Sequence, residues 1–301
     1  MTYVRRAYVA MDTRIDMAGW REGASEQELV RALDDAVGAF YEVEAVTTRF
    51  RLDSDVARIA ATPGMWLRVS PHVWYPLQVA LWLAEWTDGR FDPACGHHLA
   101  ALGFDRDYQT GERLSSPECS PDATFRDVEL DLARTAVRTR RPLLLDLGAV
   151  AKGYAVDLAL ARLRGAQLDG ALVNAGGDLA AFGSAPDGGP WEVEVRHEIP
   201  GFLPMMLRVA SGSVCSSGLY ARRSPRGACH LWHPRPGRAQ ALAATVVAPY
   251  AMMADGLATA CMLVEPDELE PLCEAAGAQA KVWYEGGDSV ETKGWGDVDL
   301  A

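Results

Sequence analysis

Asp255 and Thr259 stand four residues apart in ADGLATA, the stretch from Ala254 to Ala260. On a helix that spacing puts both side chains on one face. A carboxylate and a hydroxyl are hard oxygen donors, suited to Mg2+ and poor for zinc. The same spacing also has a structural account. Thr259 can bond its own helix backbone, and Asp255 can be a first-turn acid favoured by the helix dipole.

A second candidate is the junction inside LLLDLGAVAKGYAVDLALARL, from Leu143 to Leu163. Leu143 to Leu145 read as a buried strand, and the last dozen residues read as an amphipathic helix. Between them, small residues allow close approach, and the helix start offers N–H groups and the positive end of a dipole. With Lys152 in the first turn, the junction suits an anion. It lacks the spacing of a P-loop or of GxGxxG, and the carboxylate of Asp146 stands beside it.

Three further stretches carry chemistry-bearing residues. Asn174, Gly176, Gly177 and Asp178 lie in VNAGGD between two apolar strands, either as a tight hairpin or as a ligand-binding turn. In GRFDPACGHH, Asp92 and Pro93 are a turn-initiating pair, while His97 and His98 lack a ligand partner at helical spacing. CHLWHPRPG, from Cys229 to Gly237, holds His230 and His233 around Trp232, without an evident third zinc ligand. Imidazole titrates near neutrality, so one of these histidines can serve as a general base.

The elements that must position these groups come in blocks. Val4 to Met17 alternates as an opening strand. Ser25 and Glu28 form a capping box before Leu29, Leu33, Val37 and Phe40 at helical spacing. A short helix follows in RLDSDVARIAA. The next helix has Ser70 as N-cap, Pro71 at its first position and Gly89 just past its end. Its apolar residues cover most of the circumference, as in a central helix. Leu102 to Ala123 is a polar surface excursion. Short strands with turn signals then lead to a helix in YAMMADGLATACMLV, a second around Asp267 to Ala276, and a last strand in AKVWYEG. Blocks of helices and antiparallel-type strands point to the α+β class rather than a doubly wound sheet.

The chain has 301 residues, enough for a well-buried core. Apolar residues make up 49 % and charged residues 23 %, as in a soluble globular protein. A formal charge of −12 argues against a nucleic-acid surface. The densest basic spot, RRSPRG from Arg222 to Gly227, reads as a solvated loop or an anion contact. No stretch has the roughly 20 apolar residues of a transmembrane segment. The N-terminus has no apolar signal region and no lipid-attachment cysteine, so a cytoplasmic location is expected. The 6 cysteines are scattered singly, as expected of reduced thiols.

Taken together these segments resemble the FAD:protein FMN transferase family, the ApbE-like flavin transferases. AMDTRIDM falls where that family has a Met-Gly-Thr strand, with Asp12 in place of the glycine. TRFRLDSDVARI is similar to its serine–aromatic–Arg–Asp–Ser segment, and GRFDPACG to its Phe-Asp-Pro turn. LDLGAVAKGYAVD is close to its most characteristic motif. ALVNAGGDLAAFG, SSGLYARR, HLWHPRPG and ATVVAPYAMMADGLATA follow in the family's order. One difference is His233-Pro234-Arg235-Pro236-Gly237, where the family usually has Asp-Pro-Arg-Thr-Gly.

The resemblance implies a single ApbE-like domain over residues 1–301, with two intertwined α+β subdomains and an FAD cleft between them. It implies Mg2+-dependent transfer of FMN from FAD to a Thr or Ser hydroxyl of an acceptor flavoprotein, with release of AMP. The anion at the Asp146–Gly153 junction would be the FAD pyrophosphate. By position, the flavin contacts would be Met11, Phe50, Arg90, Phe91, Asp92, Asp146, Lys152 and Trp232. The metal ligands would be the carbonyl of Ala149 with Asp255 and Thr259, and His230 would be the base. An FAD pyrophosphatase and a flavin carrier or sensor without turnover are the alternative readings.

Overall fold

The computed structural model describes residues 1–114, 118–199, 201–220, 223–232 and 240–295. Helices and antiparallel strands come in blocks, the α+β class that the sequence predicts. The chain divides into two compact units built from separate stretches. The first takes Met1–Tyr41, Lys152–Gly218 and Gly237–Ala301, and the second takes Glu42–Ala151 and Leu219–Pro236.

The first unit is organised on an eight-stranded sheet, antiparallel throughout. Its strands are β1 (Thr2–Ala10), β2 (Thr13–Arg21), β6 (Gly170–Ala175), β7 (Asp178–Gly183), β10 (Gly212–Gly218), β11 (Ala241–Ala248), β12 (Gln279–Tyr284) and β13 (Ser289–Glu291), in that spatial order. Successive residues of a strand point to opposite faces. On β10, Val214 joins Trp191, Val195, Leu207, Val209 and Val247 in one apolar cluster. That cluster seats the hairpin of β8 (Trp191–Val195) and β9 (Met205–Val209) on one face of the sheet. The residues on either side of Val214 face α6 (Ala251–Cys261), where Cys215 Sγ meets the Ala251 carbonyl at 3.6 Å. Helix α7 (Leu269–Ala275) follows α6.

Most of helix α1 (Glu26–Thr47) also belongs to this unit. Its expected capping box forms: Ser25 N–H donates to Glu28 Oε2 at 2.8 Å, and Glu28 N–H donates to Ser25 Oγ at 3.3 Å. Leu29, Leu33, Val37 and Phe40 make its buried stripe.

The second unit holds α2 (Asp55–Ala61), α3 (Pro71–Trp86), α4 (Gly96–Ala101) and a small sheet ordered β3 (Leu67–Arg68), β5 (Ala136–Thr139), β4 (Val128–Asp131). Ser70 caps α3 through the His72 N–H at 3.2 Å, with Pro71 at its first position. Helix α5 (Gly148–Gly165) begins in this unit and enters the first at Lys152. Among the described residues no helix is long and apolar enough to cross a membrane.

Several sequence expectations are corrected here. Val4 to Met17 is not one strand but most of the β1–β2 hairpin, turned by Met11 (φ 52°) and Asp12 (φ 58°). Two positive φ values between paired residues are the geometry whose twist matches a hairpin. Neither residue is Gly or Asn, so the alternation runs through the turn without a signal. Leu143 to Leu145 are fully buried, yet only Leu144 pairs, in one parallel bridge to Cys95. Burial, not strand formation, explains that apolar run. Helix α3 is not buried all round, since Tyr75 (51 % exposed) and Trp86 (46 %) face outward. Lys152 is the fifth residue of α5, and Asp255 is the fifth of α6, so neither lies in a first turn.

Candidate functional site

In the first unit, α5, α6 and β7 bring three charged side chains together. Lys152 Nζ donates to Asp178 Oδ2 and lies 3.3 and 3.4 Å from the two oxygens of Asp255. The side chains of Asp178 and Asp255 are 4 % and 3 % exposed. Asp178 is the first residue after the Gly176–Gly177 turn, which the structure shows as a two-residue hairpin closed by the pair Ala175 and Asp178. A Cβ on Gly176 would lie 2.2 Å from Thr13 Oγ1, so this turn needs glycine for space as well as for its φ of 64°.

Close helix contact sets the position of Asp255. A Cβ on Gly153 would fall 2.2 Å from the Ala251 carbonyl oxygen, so α5 and α6 touch backbone to backbone there. The Gly153 N–H donates to Asp255 Oδ2 at 2.9 Å. One turn further along α5, Asp157 accepts the N–H groups of Ala251 at 2.8 Å and Met252 at 2.9 Å. Helix α6 has no cap from its own N-cap side chain, Tyr250. Asp157 performs that task from another element and satisfies two otherwise orphaned donors.

Burial raises the Asp255 carboxyl above the usual carboxylate range, and the negative charge of Asp178 adds to the effect. Burial would lower the Lys152 ammonium, but Asp178 and Asp255 outweigh it and hold Lys152 charged. Burial keeps the neighbouring Cys215 thiol protonated. With both carboxylates ionised, the trio carries one net negative charge.

This donor set fits Mg2+. Asp255 and Thr259 share a buried face of α6, at 2 % and 8 % exposure. Thr259 Oγ1 bonds to Ser217 Oγ at 3.2 Å, a partner outside its own helix. Both candidate ligands are hard oxygens in a site of negative charge. Among the described residues no group of three or more His, Cys, Asp or Glu side chains is placed to hold a metal ion. Among the described residues, Asp255 is therefore joined by neutral protein oxygens such as Thr259 Oγ1, and the rest of a cation's shell falls to ligand and water. Ala149 is the second residue of α5 and belongs to the second unit.

In the second unit the carboxylates serve the backbone. Asp146 Oδ1 accepts the Gly148 N–H at 2.9 Å, and Asp146 Oδ2 pairs with Arg49 Nε at 2.8 Å. Asp146 thus satisfies one N–H at the start of α5. Arg49 also donates to the Phe104 carbonyl at 2.7 Å and covers the Phe50 ring at 4.7 Å. Asp92 accepts from Ala94 at 2.8 Å and from Phe125 at 3.0 Å. Burial pushes its carboxyl up to about 6 against the pull of those bonds. Phe91 N–H donates to Thr87 Oγ1 at 3.0 Å, and Arg90 Nε to the Thr87 carbonyl at 3.0 Å.

Trp232 lies flat on His98, with ring centroids 4.1 Å apart and planes within 7°. Burial, then the neighbouring His97, lowers the His98 imidazole below its ordinary range, which favours the neutral ring. His230 is two residues from Trp232, with Nδ1 3.9 Å from Cys229 Sγ. In the preceding basic spot Arg222 lies outside the described residues, and Arg226 donates to the Ala101 carbonyl at 3.0 Å. His233 to Gly237 lie outside the described residues.

The structure gathers Lys152 and Asp255 about Asp178, with Thr259 on the same face of α6 as Asp255. It gathers Phe50 and Asp146 about Arg49. Met11 lies at the tip of the β1–β2 hairpin, in the first unit. Four residues outside the expected set matter here: Asp178, Asp157, Ser217 and Arg49. Only Asp178 carries a local signal, the NAGGD turn. The partners of the other three are remote in sequence.

The ApbE family model matches residues 11–282. An FAD:protein FMN transferase of Treponema pallidum (strain Nichols) is 29 % identical over 266 residues, covering 79 % of this chain and 72 % of the relative. One of Rhodobacter capsulatus is 31 % identical over 245 residues, covering 76 % of this chain and 45 % of the relative. The crystal structure of the ApbE protein from Thermotoga maritima superposes with a TM-score of 0.83, at 23 % identity and full coverage of both chains. The apo flavinyl transferase ApbE of Pseudomonas stutzeri gives 0.79 at 23 % identity, covering 99 % of this chain and 97 % of the other. At these identities the structural likeness speaks for the fold.

Proposed function

The chain belongs to the ApbE family, and from that premise we propose that it is an FAD:protein FMN transferase. It takes FAD and an acceptor flavoprotein and returns the acceptor with FMN on a Thr or Ser hydroxyl. The hydroxyl oxygen bonds to the phosphorus on the FMN side of the pyrophosphate. The bond from that phosphorus to the bridging oxygen breaks, and AMP leaves.

The observation that carries this reading is the buried face of α6. Asp255 and Thr259 present two hard oxygens there, with Lys152 and Asp178 beside Asp255. These residues would hold Mg2+. When bound, Mg2+ supplies neutralisation of charge on the pyrophosphate oxygens and on the departing phosphate. Lys152 is held charged by Asp178 and Asp255, so it fixes the orientation of the Asp255 carboxylate. His230 takes the proton of the attacking hydroxyl. Phe50 and Trp232 give flat surfaces for a flavin ring. Asp92 and Asp146 act through the turns they hold, since main-chain donors and Arg49 engage them. The six cysteines, all free thiols, fit a reducing compartment such as the cytoplasm.

The test is incubation with FAD, Mg2+ and a flavoprotein carrying an Asp-x-x-Ser/Thr-Gly-Ala-Thr segment. Mass spectrometry should find FMN on the acceptor hydroxyl, with one AMP released per modification. AMP release that needs no acceptor would make the protein an FAD pyrophosphatase. FAD binding without AMP release would make it a carrier.

A further inference from the structure

Alternate residues of β10 make polar contacts on the face that packs against α6. Ser213 Oγ donates to the carbonyl of Ala248, its partner on the neighbouring strand β11, at 2.7 Å, just before the helix. Cys215 Sγ meets the Ala251 carbonyl at 3.6 Å, at its first residue. Ser217 Oγ meets Thr259 Oγ1 at 3.2 Å, two turns further on. The first two contacts are to backbone: one joins β10 to β11, and the other sets the helix against the strand. The third differs, because its partner is a side-chain hydroxyl on the face that also carries Asp255. The intervening Ser216 points the other way, to Thr245 Oγ1 at 2.9 Å, which in turn meets His197 Nε2 at 2.9 Å. That chain of hydroxyls anchors β10 from its opposite face. Ser217 is therefore held in place without using its own hydroxyl.

We propose that Ser217 is a positioning residue for the cation site, accepting the Thr259 hydroxyl proton so that a Thr259 lone pair can face the metal. The inference rests on the reading of Asp255 and Thr259 as Mg2+ ligands. A hydroxyl has one proton and two lone pairs. A cation on one lone pair repels the proton, which must turn to an acceptor on the far side. Thr259 is 8 % exposed, so water does not readily replace that acceptor. Ser217 Oγ supplies it, and the Ser217 proton turns away from Thr259. Groups that orient metal ligands in this way are typically worth about 10- to 100-fold in metal affinity.

The experiment titrates the full-length protein with magnesium chloride alone and follows the thermal unfolding midpoint, which rises with ligand by mass action. The variants are Ser217→Ala, Ser217→Cys and Ser217→Thr, with Asp255→Asn as the control without a metal-binding carboxylate. Ser217→Ala should keep the metal-free midpoint near that of the wild type and weaken the apparent Mg2+ affinity by about 10- to 100-fold. Ser217→Thr should restore it to within a few fold. Should the alanine variant not fold, Ser217→Cys reads the same effect, since a thiol of similar size is a weak acceptor. Equal Mg2+ affinity in wild type and Ser217→Cys, with loss in Asp255→Asn, overturns the role of Ser217 and leaves the metal site standing. A wild type with no response to Mg2+ overturns the metal site itself, and this role with it.

Discussion

The Gly153 N–H lies 2.9 Å from Asp255 Oδ2, although the two residues are 102 positions apart. The bond depends on the absence of a side chain at 153. A Cβ there would meet the Ala251 carbonyl oxygen at 2.2 Å, its carbon at 2.6 Å and Met252 Cα at 2.8 Å. These are backbone atoms of α6, so no flexible side chain can give way. Gly153→Ala should push the helices apart, cost roughly 1–3 kcal/mol or more as overpacking, and move Asp255 off its donor. Urea unfolding measures the loss, and an unchanged midpoint would refute the close contact.

Asp157 should contribute a cap worth about 1 kcal/mol to α6, with an opposing pH dependence. Burial raises its carboxyl from 3.8 to about 6. Between those values the folded protein binds more protons than the unfolded chain, so ionising Asp157 lowers stability as pH rises through this window. Asp157→Asn should flatten the stability profile between about pH 4 and pH 6 relative to the wild type. Parallel profiles in denaturant unfolding would remove the assignment.

Lys152 should be needed for folding more than Asp255 is. Lys152→Met leaves two buried carboxylates facing each other without their cation, a loss of about 3–5 kcal/mol for a broken buried pair. The defect should be smaller at pH 5 than at pH 8, because burial and the charge of Asp178 raise the Asp255 carboxyl, and acid neutralises it where the missing ammonium no longer offsets it. Thermal melts at both values test this, and a pH-independent defect would contradict it.

Asp255→Asn removes the repulsion between Asp255 and Asp178 and leaves Lys152 paired with Asp178. Stability near neutral pH should hold or rise, whereas AMP release should fall by orders of magnitude. Circular dichroism melts beside an AMP assay separate the two effects. An active variant would sink the metal assignment, and an unfolded one would return Asp255 to a structural role.

His230→Ala should lower single-turnover transfer by roughly 10²–10⁴-fold, as for a general base, with FAD affinity little changed. Fluorescence titration reports the affinity, and quenched-flow transfer across pH reports the base. If His233→Ala proves to be the dead variant and His230→Ala an active one, the base has been misplaced.

Much was determined by the sequence alone. The capping box of Ser25 and Glu28, the start of α3 at Ser70 and Pro71, and the shared face of Asp255 and Thr259 all depend on neighbours within four residues. Local spacing fixes such geometry before any tertiary contact forms. The resemblance, carried by ordered motifs, reached the family for the same reason: each motif is a short local pattern.

What only the tertiary structure decided is where each charge finds its partner. Lys152 read as an anion-binding residue at a helix start, yet it points to Asp178 and Asp255. Asp146 reads as company for a bound anion, and the fold gives it two partners of its own, the Gly148 N–H and Arg49, 97 residues earlier. Asp157 passed as an ordinary residue of α5 and caps α6 across 94 positions. Met11 and Asp12 hid a turn because no glycine marks it. A buried charge takes whichever opposite charge or free N–H the folded chain brings within about 3 Å, and sequence distance places no limit on that choice.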